Sequence, residues 1–227
     1  MSRDIVFDEI THTYLVDGQE VPSVTAILQP LTNRGYANVN PSVLEHARNR
    51  GTATHEFLEL MDLDAEPEEI LPEIIPYIQA YQEWCSIYRP TWEMIEGIVY
   101  NELYGYIGTL DRMGVLNGGE LAVVDLKTSQ PTKEALIAVC LQTRMYELAY
   151  LQEHQEAFQR MLPHDTMKRI GLFLRSDGTF RHVDCAEYEK KYNIDCNKVI
   201  NQLLTLNQTF AALLATGKGK KCDSYVG

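Results

Sequence analysis

The sequence predicts an α/β (α+β) fold, with a central mixed β-sheet flanked by helices and an N-terminal helical portion. Residues 105–127 alternate as two strands around the turn signal Asn117-Gly118-Gly119, which indicates a β-hairpin. A helical pattern of apolar residues then runs from about Lys133 to Tyr150. A second strand pair follows it, from Arg169 to Leu174 and from Thr179 to Val183. With 227 residues, the chain is long enough for one such domain.

The N-terminal part, residues 1–90, is predicted to be a hairpin followed by helices. Two short runs, Ile5–Phe7 and Thr13–Val16, form the predicted hairpin. Ser23 can cap a short helix through its hydroxyl. The polar residues from Asn33 to Asn40 are predicted to form a loop.

Two longer helices are predicted after this loop. The first runs from Pro41 to Met61, since proline suits the first turn of a helix. Apolar spacing predicts the second from Ile70 to Tyr88, and Pro72 and Pro76 delay its regular part. The acidic stretch between them, Asp62 to Glu69, is predicted to be a solvated loop.

The rest of the chain divides into a sheet region and a C-terminal region. Residues 91–185 are predicted to hold the sheet and the helix that follows its hairpin, beginning with a strand from Trp92 to Leu103. Residues 186–227 are predicted to hold a long helix from Tyr188 to Ala215, ended by Gly217. A basic tail of three lysines follows: Lys218, Lys220 and Lys221. We expect all of these parts to form a single domain over residues 1–227.

The charge is strongly negative and uneven. The net charge is −12, and the stretch from Glu59 to Glu73 holds only acids among its charged residues. By contrast, Arg160 to Arg181 and Lys190 to Lys221 are locally basic. This combination excludes a generally basic surface and is compatible with a basic groove that binds nucleic acid in a salt-sensitive way. No apolar run approaches the length of a membrane span and no signal peptide begins the chain, so we expect a cytoplasmic protein.

The five cysteines are scattered and form no Cys-x-x-Cys pair. They are Cys85, Cys140, Cys185, Cys196 and Cys222. We therefore expect free, mostly buried thiols and no iron–sulfur cluster.

The central hairpin carries two aspartates and a lysine with spacing that suggests chemistry. Asp125 and Lys127 lie two apart, so they share one face of a strand, and the hairpin can bring Asp111 of the neighbouring strand beside Asp125. Facing carboxylates repel unless a cation lies between them, and Mg²⁺ prefers oxygen ligands. An exposed hairpin end with a weak surface ion pair is the alternative for so short a pattern.

Residues before and after the hairpin extend the pattern. Gln142 and Tyr146 are four apart and share one face of the predicted helix, where an amide and a phenol suit a phosphate or a base edge. His55 and Glu59 lie one turn apart on the helix from Pro41, and the small residues Gly51 to Ala53 allow this helix to approach a sheet. A lone helical histidine is also compatible with an ordinary surface or core position.

Together these pieces resemble the RecB-like exonuclease branch of the PD-(D/E)XK nuclease superfamily. The resemblance rests on Gly108-x-x-Asp111, Asp125-x-Lys127, Gln142-x-x-x-Tyr146 and, upstream, Arg50-Gly51-Thr52-x-x-His55. The opening His12-x-Tyr14, with Pro22-Ser23-Val24-Thr25 after it, is similar to that of phage-encoded members and of the mitochondrial genome maintenance exonuclease.

The resemblance implies a restriction-endonuclease-like core and a site with assigned roles. Asp111, Asp125 and Lys127 are then catalytic, and His55, Asp111, Asp125 and the Leu126 carbonyl hold Mg²⁺ or Mn²⁺. Six residues are implied in DNA binding: Gln142, Tyr146, Thr128, Ser129, Ser23 and Thr25. Glu96 is implied to support the site. For Ser23 a capping role alone is the alternative, and Thr128 and Ser129 could serve only as turn or cap residues.

The function implied is metal-dependent hydrolysis of phosphodiester bonds in DNA, from an end, in recombination, repair or replication. The expected partners are linear or single-stranded DNA and a recombination or replication protein, without a membrane, and the gene could be carried by a phage. Two alternatives stay open. One is a catalytically silent or partner-dependent DNA-binding module of the same fold. The other is a structure-specific or restriction-type endonuclease with the same metal site.

Overall fold

A five-stranded mixed sheet lies at the centre of the computed structural model, which describes residues 3–8, 11, 13–36, 39–67, 70–154 and 167–217. Its strands are β4 (Thr91–Asn101), β5 (Tyr106–Val115), β6 (Leu121–Lys127), β7 (Lys168–Leu174) and β8 (Phe180–Asp184), in that order. Neighbouring strands are antiparallel except β6 and β7, which are parallel. A parallel pair needs a crossover connection, and helix α4 (Lys133–Glu153) lies within it. The predicted α+β fold with a mixed sheet is confirmed.

Helices cover both faces of this sheet. The other helices are α1 (Val24–Tyr36), α2 (Pro41–Asp62), α3 (Ile75–Tyr88), α5 (Cys185–Tyr192) and α6 (Cys196–Gly217). One apolar core joins the sheet to α1, α4, α5 and α6, and a second joins it to α2 and α3. Because side chains alternate along a strand, Val123 of β6 faces the first core while Val124 faces the second.

The predicted hairpin and the helix after it are confirmed. β5 and β6 pair antiparallel across the turn at Asn117-Gly118-Gly119, with Gly119 in the left-handed region at φ 79°. The Thr132 side chain caps α4 by accepting a hydrogen bond from the Ala135 amide at 3.2 Å. The second predicted hairpin, β7 and β8, is also present.

The N-terminal prediction was partly wrong. The predicted hairpin is a three-stranded sheet, β1 (Ile5–Asp8), β2 (Thr13–Val16) and β3 (Gln19–Val21), because the chain pairs again after its turn. Its apolar side chains pack against Ile107 of β5. Helix α1 is longer than the predicted short helix and extends to Tyr36, so Asn33 to Tyr36 are helical and not part of a loop. The Ser23 cap is confirmed, since its hydroxyl accepts a hydrogen bond from the Ala26 amide at 3.0 Å.

Two further predictions were wrong. The long helix predicted from Tyr188 to Ala215 is broken, because Asn193 adopts a left-handed conformation at φ 53° and ends α5. Asp195 then caps α6 by accepting from the Lys198 amide. Asp62, predicted to lie in a solvated loop, is the last residue of α2 and is buried against the sheet.

The helix predicted after that loop begins with a 3₁₀ turn, Pro72–Ile74, before the regular α3, as its prolines indicated. Cys140, Cys185 and Cys196 are buried free thiols, and Cys85 is half-buried. In the described part of the chain, no helix is long and apolar enough to cross a membrane. Some predicted features lie outside the described residues: His12, Glu68, Glu69, Arg160, the tail lysines 218, 220 and 221, and Cys222.

Candidate active site

The pairing of β5 with β6 brings the two predicted aspartates together. Arg112 pairs with Val124, so Asp111 and Asp125 are level at the point where the ladder ends. Here the Asp111 carboxylate replaces a main-chain acceptor, because its Oδ2 accepts a hydrogen bond from the Leu126 amide at 2.6 Å. A strand residue directs its N–H and C=O to the same edge, so the Leu126 carbonyl lies on this edge too.

Asp125 is fully buried. Its Oδ2 lies 2.6 Å from Nζ of Lys127, while its Oδ1 has no hydrogen-bond partner among the described residues. Burial raises the pKa of Asp125 to about 6, although the Lys127 ammonium opposes this. A buried carboxylate oxygen without a partner is costly, so this atom is a candidate ligand for a cation.

A hydrogen-bonded chain connects Lys127 to helix α4. Nζ of Lys127 donates to Oε1 of Gln142 at 3.2 Å, and Nε2 of Gln142 donates to the Tyr146 hydroxyl at 2.9 Å. Both α4 residues are buried, and Tyr146 is only 2% exposed. Burial and the nearby Asp125 and Asp111 carboxylates raise the pKa of Tyr146 well above its usual value, so its hydroxyl stays neutral.

Gly108 explains how this helix approaches the sheet so closely. A Cβ atom on Gly108 would lie 2.8 Å from Cε1 of Tyr146 and 3.0 Å from Cγ2 of Val24. Any larger residue would push α4 or α1 away from β5. The glycine of Gly108-x-x-Asp111 therefore makes room for the tyrosine of Gln142-x-x-x-Tyr146.

Helix α2 brings His55 to the same place. Its Nδ1 lies 3.7 Å from Oδ1 of Asp111 and 3.9 Å from Oε1 of Glu96. Burial lowers the pKa of His55, but the Asp111 and Glu96 carboxylates outweigh this and raise it above the usual value. The helix passes close to the residue after Lys127, since a Cβ atom on Gly51 would lie 3.4 Å from Oγ1 of Thr128, an ordinary van der Waals contact.

Glu96 completes a compact group of possible ligands. One ligand atom each from His55, Glu96 and Asp111 lies within 4.8 Å of the others, and this is the one such group among the described residues. Glu96 has φ 45°, a left-handed conformation in the middle of β4. This conformation is unusual for a residue with a side chain and occurs often at functional sites.

A buried arginine holds Glu96 in place. Arg112 is 0% exposed; its NH1 group donates to Oε1 of Glu96 at 2.9 Å and to the Asp111 carbonyl at 2.6 Å. Its Nε donates to Oδ2 of Asp62 at 2.6 Å, and the Tyr81 hydroxyl donates to the same oxygen at 2.7 Å. Two ligand candidates are thus fixed by one guanidinium anchored at the end of α2.

The remaining predicted residues surround this centre. Ser23 and Thr25 lie at the start of α1, with their hydroxyl oxygens 3.0 Å apart. The Ile107 amide donates to the Pro22 carbonyl at 3.2 Å and ties this helix start to β5. Thr128 abuts α2 at Gly51. Ser129 and Thr25 line a cleft of about 600 Å³ that also reaches Lys127 and Gln142.

The donor set fits a hard divalent cation. Asp111, Asp125 and Glu96 supply carboxylate oxygens and His55 an imidazole nitrogen, a mixture that suits Mn²⁺ as well as Mg²⁺. These acids outnumber the cations that contact them directly, Lys127 and Arg112. With Oδ1 of Asp125 unsatisfied, the centre has both the charge and the free acceptor that a cation requires.

Comparisons of the sequence with protein-family models and with curated proteins find no match.

Sequence reasoning did not find Arg112, Asp62 or Tyr81. Arg112 directly follows Asp111, and an arginine inside an otherwise apolar strand is a signal of a buried ion pair. Its partner could not be identified, because Asp62 lies fifty residues away among other acids.

Proposed function

We propose that the chain is a metal-dependent deoxyribonuclease of the RecB-like branch of the PD-(D/E)XK nucleases, and that it hydrolyses phosphodiester bonds. The proposal depends chiefly on one observation. Three carboxylates, a histidine and a lysine from α2, β4, β5 and β6 converge where β5 and β6 separate, and one buried carboxylate oxygen, Oδ1 of Asp125, has no partner among the described residues. Such convergence is costly for stability and is typical of functional sites.

The residues that would hold Mg²⁺ or Mn²⁺ are His55, Asp111, Asp125, the Leu126 carbonyl and, in addition, Glu96. When bound, such an ion supplies a water of lowered pKa and a positive charge beside the scissile phosphate.

The chain's own groups prepare this site for a phosphate. The Lys127 ammonium, which is partly exposed, can stabilise negative charge that develops on the phosphate oxygens. Gln142 and Tyr146 restrict the position of that ammonium through their hydrogen bonds. They act on the phosphate mainly through Lys127 in this conformation, since both are buried. Thr25 and Ser129 face the adjoining cleft, where their hydroxyls can donate to a phosphate.

The biological setting follows from the resemblance. We infer a single nuclease domain over residues 1–227 that acts from DNA ends, in the cytoplasm of a cell or of a phage-infected host. Recombination, repair or replication is the setting, with a protein partner from the same process. The proposal includes no iron–sulfur cluster and no membrane.

The decisive experiment is digestion of end-labelled linear DNA with Mg²⁺, Mn²⁺ or chelator, beside the Asp125→Ala variant. We expect metal-dependent release of short products, lost in the variant, and the position of the label gives the polarity. A circular substrate resists an exonuclease and is cut by an endonuclease. DNA binding without cleavage in either metal would show that the chain is a DNA-binding module and not a nuclease.

A further inference from the structure

Two cavities border the site, and they share no lining residue. The α1–α4 cleft, bounded by α1, α2, the loop after β6 and the start of α4, has a volume of about 600 Å³. The α2–β4 pocket is smaller, about 380 Å³, and borders the His55 and Glu96 side. Each of them reaches residues of the candidate site, so each is a candidate path for a substrate strand.

The two cavities differ in charge. Among its described lining residues, the α1–α4 cleft has two cations, Arg48 and Lys127, and one acid, Glu134. The α2–β4 pocket is lined by Glu56, Glu59 and Glu96, with no lysine or arginine among the residues that line it. A phosphate chain is therefore attracted to the α1–α4 cleft and repelled from the α2–β4 pocket.

The α1–α4 cleft also has the chemistry of a backbone-binding groove. Its polar lining includes Thr25, Ser129 and Thr132, whose hydroxyls can donate a hydrogen bond to a phosphate oxygen. Leu28 and Ala138 give it an apolar floor for a sugar. No aromatic side chain is among the described residues that line it, so bases are not held there by stacking.

Its size favours one strand. A volume of about 600 Å³ is that of a small-molecule site. A duplex presents two backbones across a groove of about 12 Å, which favours a single strand for a cleft of this volume.

We propose that the α1–α4 cleft binds a single strand of nucleic acid through its backbone, and that Arg48 contacts a phosphate next to the one at Lys127. Arg48 lies on the exposed face of α2, on the wall of the cleft that Lys127 also lines. This assignment rests on the proposed nuclease function and adds to it the substrate form and a binding residue.

The test compares Arg48→Ala with Arg181→Ala, which removes the same charge from an exposed position on β8. The substrate is fluorescein-labelled oligothymidylate of about 20 nucleotides, longer than a typical single-strand site, cleaved with Mn²⁺ at several salt concentrations. We expect Arg48→Ala to raise KM about five- to tenfold, with kcat within about twofold, as for loss of one phosphate contact. The slope of log KM against log salt should fall by about 0.7. Arg181→Ala should change neither quantity.

A second variant tests the α2–β4 pocket. Glu56→Gln in the α2–β4 pocket should leave KM unchanged or lower it. A rise in KM as large as that of Arg48→Ala would place the strand in the α2–β4 pocket and overturn the proposal.

Four further outcomes are decisive. If Arg48→Ala behaves like Arg181→Ala while the wild type cleaves, the assignment of the α1–α4 cleft is wrong and the nuclease function stands. Blunt duplex cleaved as fast as the single strand overturns the single-strand assignment. If the wild type binds oligothymidylate in an Arg48-dependent way but never cleaves it, the nuclease function fails and the assignment survives. Neither binding nor cleavage overturns both.

Discussion

The two halves of the candidate site are built in different ways. The lysine half consists of Asp125, Lys127, Gln142 and Tyr146, which lie on β6 and α4, and its polar groups form one hydrogen-bonded chain. The histidine half consists of His55, Glu96 and Asp111, whose ligand atoms face one another and are held by Arg112. The lysine half neutralises its own charge, whereas the histidine half concentrates negative charge around an imidazole. The first is suited to a phosphate and the second to a cation.

The largest expected effect comes from breaking the support of the histidine half. Arg112→Met removes a buried cation and leaves the Asp62 and Glu96 carboxylates without their partner. Removing one member of a buried ion pair typically costs 3–5 kcal/mol, so we expect about that loss in the free energy of unfolding, measured by urea denaturation. The double variant Asp62→Asn/Arg112→Met should recover part of it. An Arg112→Met protein as stable as the wild type would contradict the network.

The lysine half should show its main effect in catalysis. Lys127→Ala removes the charge that faces the phosphate, and loss of one such group lowers kcat about 10²- to 10³-fold. The surface variant Lys198→Ala serves as the control and should keep the wild-type melting temperature. Lys127→Ala leaves the buried Asp125 without its cation, so its melting temperature should fall, and circular dichroism should show that the variant is still folded at the assay temperature. Full activity of Lys127→Ala in a clean preparation would remove Lys127 from the mechanism.

A variant of Glu96 tests whether the histidine half binds the cation, because its cleavage activity should need more metal. Glu96→Gln keeps the shape of the side chain but weakens a cation ligand, and loss of such a group typically costs 10- to 100-fold in metal affinity. We expect the Mn²⁺ concentration for half-maximal cleavage to rise at least about tenfold. Glu93→Gln, an exposed change on the same strand, should leave it unchanged. If both variants reach half-maximal cleavage at the same Mn²⁺ concentration, Glu96 has only a structural role.

The smallest expected effect is a stabilisation in the lysine half. The raised pKa of Asp125 means that the folded chain binds its proton more tightly than the unfolded chain does. The contribution of this proton to stability is therefore full below the unfolded pKa and lost as pH rises through about 6. Asn cannot ionise, so in chelator Asp125→Asn should be about 1–3 kcal/mol more stable than the wild type at pH 8. That gain should shrink towards pH 4 in urea denaturation; a gain independent of pH would show that ionisation is not its cause.

The sequence predicts the lysine half better than the histidine half, for a physical reason. Strand alternation and helical spacing are local patterns. The relative positions of Asp125 and Lys127 follow from the two-residue period of a strand, and those of Gln142 and Tyr146 from the 3.6-residue period of a helix. The left-handed conformation of Glu96 and the ion pair between Asp62 and Arg112 depend on contacts between distant segments, which no local pattern carries.

The same distinction applies to the fold. The hairpin between β5 and β6 has a strong turn signal at Asn117-Gly118-Gly119 and was predicted correctly. The third N-terminal strand, Gln19–Val21, is short, and it is a strand because it pairs with β2. The break at Asn193 depends on one residue that tolerates a left-handed backbone at the end of α5.

The hydrogen bond from the Leu126 amide to Asp111 gives the site a built-in reporter. This amide belongs to a central strand, yet its acceptor is a side chain of the candidate metal centre and not a main-chain carbonyl. Any ligand that draws charge from the Asp111 carboxylate weakens this bond and changes the magnetic environment of one proton. In an amide NMR spectrum, the Leu126 resonance should therefore move with the occupancy of the site, while amides in the rest of β6 stay nearly fixed. Cation binding can then be followed without a substrate and without a catalytic turnover.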